Sequence, residues 1–356
     1  MISLETEICR LLGIANPIIQ AGMAGGPTTA SLVAAVSEAG GLGSLGAAYM
    51  PPEVLRETVK EIRKQTQNPF AVNIFAENAK DDFGRVEEVQ KALNAFRREL
   101  GIEEAAGPFS SPDWSREQFE VCLAEGVPVI STAFGSLPAE GMNAAKQQGV
   151  KIITMVTTVQ EALEAERDGA DAIVAQGSEA GGHRSTFSLD SHPDGAQVGL
   201  MSLLPQIVDA VDIPVIAAGG IADGRGLAAS LVLGAAGVQI GTRFLCAVES
   251  AAHPAHKRAI FESDEESTVI TKNFSGRPAR GIKNRFISEF DEMGFQPLPF
   301  PSQNTITKDI RAAAAKQGDA QFMSLWAGQS TRMLREEESA ADIVRTVMEE
   351  ARRICR

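Results

Sequence analysis

The chain has 356 residues, 44% hydrophobic and 22% charged, a composition that can bury a large core. Its formal net charge of −13 argues against a general polyanion binder such as a nucleic-acid protein. No window nears the roughly 18 continuous apolar residues of a membrane helix, so a membrane is not an expected partner either.

The opening residues Met1 to Glu7 carry neither a basic nor an apolar region, which reads against a secretory signal. Cys9, Cys122, Cys246 and Cys355 are scattered without CxxC spacing, which reads as four reduced thiols in a cytoplasmic protein rather than a zinc or disulfide framework. From there, short apolar runs alternate with amphipathic segments. The runs lie at 17–21, 43–45, 70–74, 128–132, 151–156, 172–175, 214–218 and 237–240. Near-continuous apolar strands alternating with helices indicate an α/β fold with a parallel sheet covered on both faces. Eight such units predict closure into a (β/α)8 TIM barrel.

Helical segments fill the intervals. The segment 51–66 places Val54, Leu55, Val59 and Ile62 on one apolar stripe. Segment 158–167 opens with Thr158 and Glu161 at capping-box spacing, and 202–211 and 226–233 occupy later intervals. Two regions exceed a minimal barrel. Residues 76–115 include a charged helix at about 83–100, and 246–307 hold two helix-like pieces and the turn Gln296-Pro-Leu-Pro-Phe-Pro301. The expected division is a barrel of 1–245 and 308–356, with 246–307 inserted as a lid or substrate region. The tail from 336 to 356 has helical periodicity and completes the outer ring.

Active sites of such barrels sit at the C-terminal ends of the strands. The first strand ends Gln20-Ala-Gly-Met-Ala-Gly-Gly26, and the third carries Asn73. The sixth runs into Gln176-Gly-Ser-Glu-Ala-Gly-Gly-His183, the seventh ends Ala217-Ala-Gly-Gly-Ile221, and the eighth reads Val238-Gln-Ile-Gly-Thr-Arg-Phe244. Loops after the last two strands often hold phosphate on backbone N–H groups. Gly219 and Gly220 permit close backbone approach, while Gly241, Thr242 and Arg243 add donors. A phosphate there, with no Walker loop and no GxGxxG after a first strand, suggests FMN. Ala21 and Gly22 leave room for a flat ring, and the amides of Asn73 and Gln176 can donate to and accept from its polar atoms. His183, ordinarily titrating near ~6.5, can accept a proton beside that ring. His192, His253 and His256 read as surface or helix-cap residues. Arg277, Arg280, Lys283 and Arg285 form a basic run, usually a solvated face but able to meet a phosphate or an acidic carrier protein.

With these motifs the chain resembles the nitronate monooxygenases, formerly 2-nitropropane dioxygenases. The resemblance runs over Pro17-Ile-Ile-Gln-Ala-Gly-Met23, Val72-Asn-Ile74, Gln176 to His183, Ala218-Gly-Gly-Ile221, Gln239-Ile-Gly-Thr-Arg-Phe244 and Leu325-Trp-Ala-Gly-Gln329. It implies an FMN-dependent oxidoreductase that converts alkyl nitronates and O2 to carbonyl compounds and nitrite, with nitroalkanes as a further substrate class. It implies His183 as catalytic base or substrate-orienting group. It places FMN against Ala21, Gly22, Met23, Asn73, Gln176, Gly181, Gly182, Gly219, Gly220, Gln239, Ile240, Gly241 and Thr242. The implied partners are a small nitronate and O2, and a homo-oligomer is compatible with the pattern. The chain departs from the family at Ser185, where glycine is common. It lacks a second histidine in Ser131-Thr-Ala-Phe-Gly135, which some members have, and its single tyrosine is Tyr49. Flavin-dependent enoyl-acyl-carrier-protein reductases share Glu-Ala-Gly-Gly-His and a segment like Glu249-Ser-Ala-Ala-His-Pro-Ala-His-Lys257. They and NAD(P)H:quinone reductases of the same fold are the alternative reading.

Overall fold

A computed structural model describes residues 3–76 and 80–355. Eight parallel strands form one sheet: β1 (Ile18–Gln20), β2 (Gly43–Gly46), β3 (Phe70–Phe75), β4 (Val129–Ala133), β5 (Lys151–Val156), β6 (Ala172–Gln176), β8 (Val215–Ala218) and β9 (Gly237–Ile240). The missing number, β7 (Gly182–His183), is a two-residue strand outside the barrel. Neighbours follow chain order from β2 round to β9, and β9 pairs with β1 in register Ile18↔Val238. The sheet closes where β1 meets β2 through the parallel bridge Ile19↔Leu42. Two backbone bonds make that seam: Gln20 N–H to Leu42 O and Leu42 N–H to Ile18 O, each 2.9 Å. Beyond them a side chain continues the ladder. The fully buried Gln20 amide donates from Nε2 to Ser44 O (3.1 Å) and accepts from Ser44 N–H at Oε1 (3.0 Å). A primary amide has the donor and acceptor of a peptide group, so it can replace one.

The (β/α)8 expectation is met, with helices at Pro52–Gln65, Val86–Glu99, Val159–Asp168, Leu200–Val208, Gly224–Val232 and Ala340–Ile354 near their expected places. The N-terminal helix Glu7–Leu12 plugs the base of the barrel, packing Ile8 and Leu12 with Ile19, Ala71, Val129, Ile153 and Ile216. The stripe expected on 52–65 is narrower than the spacing suggested. Leu55, Val59 and Ile62 are fully buried, but Val54 is 49% exposed because it lies about 100° round the helix from Leu55. The capping box at Thr158 and Glu161 forms, and Glu161 does more than cap. Its carboxylate also takes the Thr157 N–H and hydroxyl and the Phe187 N–H, tying the end of β5 to the loop that follows β7.

Outside the barrel a separate aromatic core joins the helix Val86–Glu99 to Arg285–Glu292 and Lys308–Gln317 through Phe96, Phe274, Phe286, Phe290 and Phe322. Sequence periodicity does not reveal the hairpin in this region, β10 (Thr268–Thr271) with β11 (Ala279–Ile282). Strand β11 also pairs antiparallel with β7, Ala279 opposite His183 and Arg280 opposite Gly182. The inserted chain thus grips the glycine loop by its backbone. All four cysteines are buried and free, and no described helix is long and apolar enough to cross a membrane.

Candidate active site

The C-terminal ends of the strands open into a cavity of about 670 Å³. Among its lining residues are Ala21, Gly22, Met23, Asn73, Gln176, Gly181, Gly182, His183, Gly219, Gly220, Gln239, Gly241 and Thr242. Of the residues expected to hold FMN or act on substrate, Ile240 alone stays off this wall. Its side chain packs in the outer core, and its carbonyl is taken by Ala21 N–H at 2.9 Å.

Close packing explains the glycines. A Cβ on Gly22 would stand 2.5 Å from Asn73 Cβ, so the first-strand loop can lie on the third strand only without one. Gly219 and Gly220 adopt φ of +120° and +69°, which L side chains resist. Among the described residues no protein acceptor meets the N–H of Gly220, Gly241 or Thr242. Free N–H groups converging on a cavity suit an anion. The segment Leu325 to Gln329 latches this cradle to the glycine loop after β6: Gly328 N–H donates to Thr242 Oγ1 (3.0 Å), and Gln329 N–H to Glu179 O (3.0 Å). Arg243 is not available there. Its guanidinium is held by both oxygens of Glu338 and by Ala222 O.

The amides have protein duties as well. Asn73 Nδ2 donates to Ser131 Oγ at 2.9 Å. Gln176 brackets the histidine loop, Nε2 donating to His183 O and Oε1 accepting from Ser185 N–H, both at 2.9 Å. One amide N–H of Gln176 remains for a ligand. Ser185 has its own reason to replace glycine. Its hydroxyl donates to Met155 O (3.0 Å) and accepts from Phe134 N–H (3.1 Å), joining the ends of β5 and β4.

His183 stands among Phe134, Phe300 and Trp326, with ring centroids 5.9, 6.2 and 5.5 Å away. Its Nε2 lies 2.8 Å from Ser275 Oγ. Burial, with the nearby Arg277 and Arg311 guanidiniums, pushes its pKa down to about 3. The ring is therefore neutral at any physiological pH. Phe134 holds φ +69°, a left-handed conformation that costs a side-chain-bearing residue about 1–2 kcal/mol. The Arg277 guanidinium lies 3.8 Å above its ring and helps fix it there.

Sequence reasoning did not assign Phe134, Phe300 or Arg311 to this wall, nor see that the buried Ser275 and Arg277 back His183 and Phe134. It also took His256 for a surface or cap residue. His256 is instead buried on the cavity wall, Nε2 on Trp326 O at 3.1 Å, with its pKa lowered by burial to about 4. His253 does cap its helix, accepting from Ala255 N–H. The basic run divides by position. Arg277 and Arg280 are buried, binding backbone carbonyls of Thr186, Arg184 and Ser178, whereas Lys283 and Arg285 are exposed. A second, open depression of about 840 Å³ between helices Pro254–Glu262 and Arg285–Glu292 holds none of the expected site residues.

A family model described as nitronate monooxygenase matches residues 7–350. A probable nitronate monooxygenase of Staphylococcus saprophyticus is 42% identical over 352 residues, 99% of either chain, and one of Staphylococcus aureus (strain Newman) is 44% identical over 330 residues, 92% of either chain. Among solved structures, nitroalkane oxidase from Streptomyces ansochromogenes superimposes with a TM-score of 0.88 at 40% identity, covering 97% of this chain and 98% of that one. FabK from Thermotoga maritima does so with 0.78 at 34% identity, over 99% and 98%.

Proposed function

The chain belongs to the nitronate monooxygenase family and is a flavin-dependent oxidoreductase, and from that premise we propose that it uses FMN and O2 to oxidise alkyl nitronates to carbonyl compounds and nitrite. One observation supports this reading most: a single cavity pairs a backbone cradle of free N–H groups with a neutral histidine. The cradle fits a phosphate at Gly220, Gly241 and Thr242. Ala21 and Gly22 leave a flat face on the first strand's end, and Asn73 and Gln176 border it. FMN, when bound, would accept electrons from the substrate and pass them to oxygen.

The remaining work falls to side chains. His183 is uncharged and can take the α-proton of a neutral nitroalkane or orient a nitronate already formed. Arg277 and Arg311 oppose an imidazolium and favour an anion in the same space. Phe134, Phe300 and Trp326 keep water from the alkyl end. Phe300 on the wall, with Ser275 and Arg277 that back His183 and Phe134, comes from 246–307, so we assign part of the substrate-facing wall to that inserted region.

The alternative, reduction of enoyl carrier-protein substrates or quinones by NAD(P)H, drew on the basic run at 277–285. Burial of Arg277 and Arg280 leaves only Lys283 and Arg285 to face a carrier protein. Anaerobic mixing tests the choice. Ethylnitronate is expected to bleach the flavin, and air to yield nitrite. Bleaching by NADH or NADPH alone, with no nitrite from nitronate, would overturn the proposal.

A further inference from the structure

The Ser275 hydroxyl is the only protein partner of the His183 ring nitrogens among the described hydrogen bonds. Ser275 is 1% exposed and sits in the turn between β10 and β11. Three contacts meet at its Oγ: His183 Nε2 at 2.8 Å, Arg277 O at 3.1 Å and Arg277 N–H at 3.3 Å. A hydroxyl has one proton to donate and lone pairs to accept with. If that proton goes to Arg277 O, Oγ accepts from both Arg277 N–H and His183 Nε2–H, and all three contacts are hydrogen bonds. If it goes to Nε2 instead, the contact to Arg277 O is lost. The first arrangement uses every contact.

We infer that Ser275 is a positioning residue that holds His183 as its Nε2–H tautomer, so that Nδ1 carries the lone pair available to substrate.

The turn is built to hold its hydroxyl still. Gln303 Nε2 donates to Asn273 O (2.7 Å), and Thr307 Oγ1 to Phe274 O (2.6 Å), holding the two residues that lead into Ser275. At Gly276, φ is +83°, and a Cβ would stand 2.3 Å from Leu298 O and 2.6 Å from Phe300 N. Pairing of Ala279 with His183 fixes the other end of the geometry. The ring itself is boxed by Phe134, Phe300 and Trp326, which resist a flip.

The consequence is chemical and rests on the proposed function. A lone pair at Nδ1 can accept a proton but cannot donate a hydrogen bond to an anionic nitronate. In the step it permits, the α-proton of a neutral nitroalkane goes to Nδ1. The C–H electron pair becomes the C=N bond, the N=O π pair moves onto the nitro oxygen, and an imidazolium–nitronate ion pair results with no oxidant consumed. The Arg277 and Arg311 charges that act on the His183 ring also favour an anion beside it. The tautomer therefore opens the enzyme to neutral nitroalkanes as well as to preformed nitronates.

Nitrogen NMR of the flavin-loaded full chain, labelled with 15N in its histidine rings, reads the tautomer directly. His183→Asn identifies the His183 signals by their loss. His256 is an internal standard, because a peptide carbonyl only accepts and so requires an N–H at its Nε2. The expected spectrum for His183 shows Nε2 as N–H type and Nδ1 as lone-pair type. Ser275→Ala should give a mixed or inverted pattern and lower kcat/KM for nitroethane at least tenfold, with turnover of ethylnitronate changed less. Ser275→Thr should restore both. An Nδ1–H signal in the wild-type protein overturns the inference, as does an unchanged tautomer and nitroethane rate in Ser275→Ala. Should the alanine variant not fold, the wild-type spectrum and the threonine variant still decide. The spectrum is recorded without substrate, so failure of nitronate oxidation would leave it standing.

Discussion

The glycine-lined side of the cavity and its aromatic, cationic side are made differently. The first consists of strand ends and backbone: Gly22, Gly219, Gly220 and Gly241 contribute by having no side chain, and the free donors are main-chain N–H groups. The second consists of side chains, of which Phe134 follows β4 while most of the others are delivered from outside the barrel. Ser275, Arg277 and Phe300 lie some ninety residues or more beyond the loop they surround, joined to it by one antiparallel pairing. The first side is thus fixed by the same sheet that makes the fold. The second can change its residues without disturbing the barrel, which suits a wall that meets varied substrates.

If the two sides are separable, changes on each should leave the other's property alone. The largest expected effect is His183→Asn, which should lower kcat/KM for nitroethane on the order of 10²- to 10⁴-fold, the usual worth of a general base. Flavin content measured after purification should stay at the wild-type level; a colourless variant would show that the two sides are not independent. The reverse probe is Gly181→Ala. Its Cβ would stand 2.5 Å from Ala327 C and 2.6 Å from Gly328 N, both backbone, so the latch must shift. Overpacking of this kind reaches about 3 kcal/mol, roughly a hundredfold in flavin affinity. Titration of the apoprotein with flavin measures it, and unchanged affinity would mean that the latch does not support the cradle.

The smallest effect reports on the side-chain wall through pH. His183 and His256 have folded-state pKa values of about 3 and about 4, below the ordinary 6.5. Between those values and 6.5 the unfolded chain binds more protons than the folded one, so stability must fall as pH falls through this window. Each ring should cost about 2 kcal/mol between pH 7 and pH 5. Urea unfolding at the two pH values checks the slope, and His256→Gln should flatten it. Activity, by contrast, should show no inflection near pH 6.5, because His183 stays neutral on both sides of it.

The same division governs what could be read from sequence. A glycine that must turn with positive φ or lie under a neighbouring strand announces itself locally, so the motifs at 20–26, 176–183, 217–221 and 238–244 marked the strand ends. The strands themselves are buried on both faces and read as apolar runs. The hairpin β10–β11 left no such trace. Its burial pattern along Thr268–Thr271 is buried, half-buried, half-buried, buried, with no period of two to detect. Arg277 and Arg280 looked like surface charges because nothing local to them shows that carbonyls of distant loops will solvate them. Thr242 could be read, whereas Arg243 beside it could not, since Glu338 lies 95 residues away. Contacts made by tertiary pairing are written in two places at once, and neither place is conspicuous alone.

The Gln20 seam carries a consequence for how the barrel breathes. Where a strand amide donates to a neighbouring strand's carbonyl, as Leu42 does to Ile18 O, its proton is freed only when the two strands part. At Ser44 the acceptor is a side-chain oxygen, so rotation about the Gln20 χ angles exposes that N–H with the sheet otherwise intact. In the language of hydrogen exchange, Ser44 is protected by a rotamer rather than by a ladder, and it should exchange through a local fluctuation well below the global unfolding free energy. The barrel's closure is held at that point by a latch that can turn without the strands coming apart.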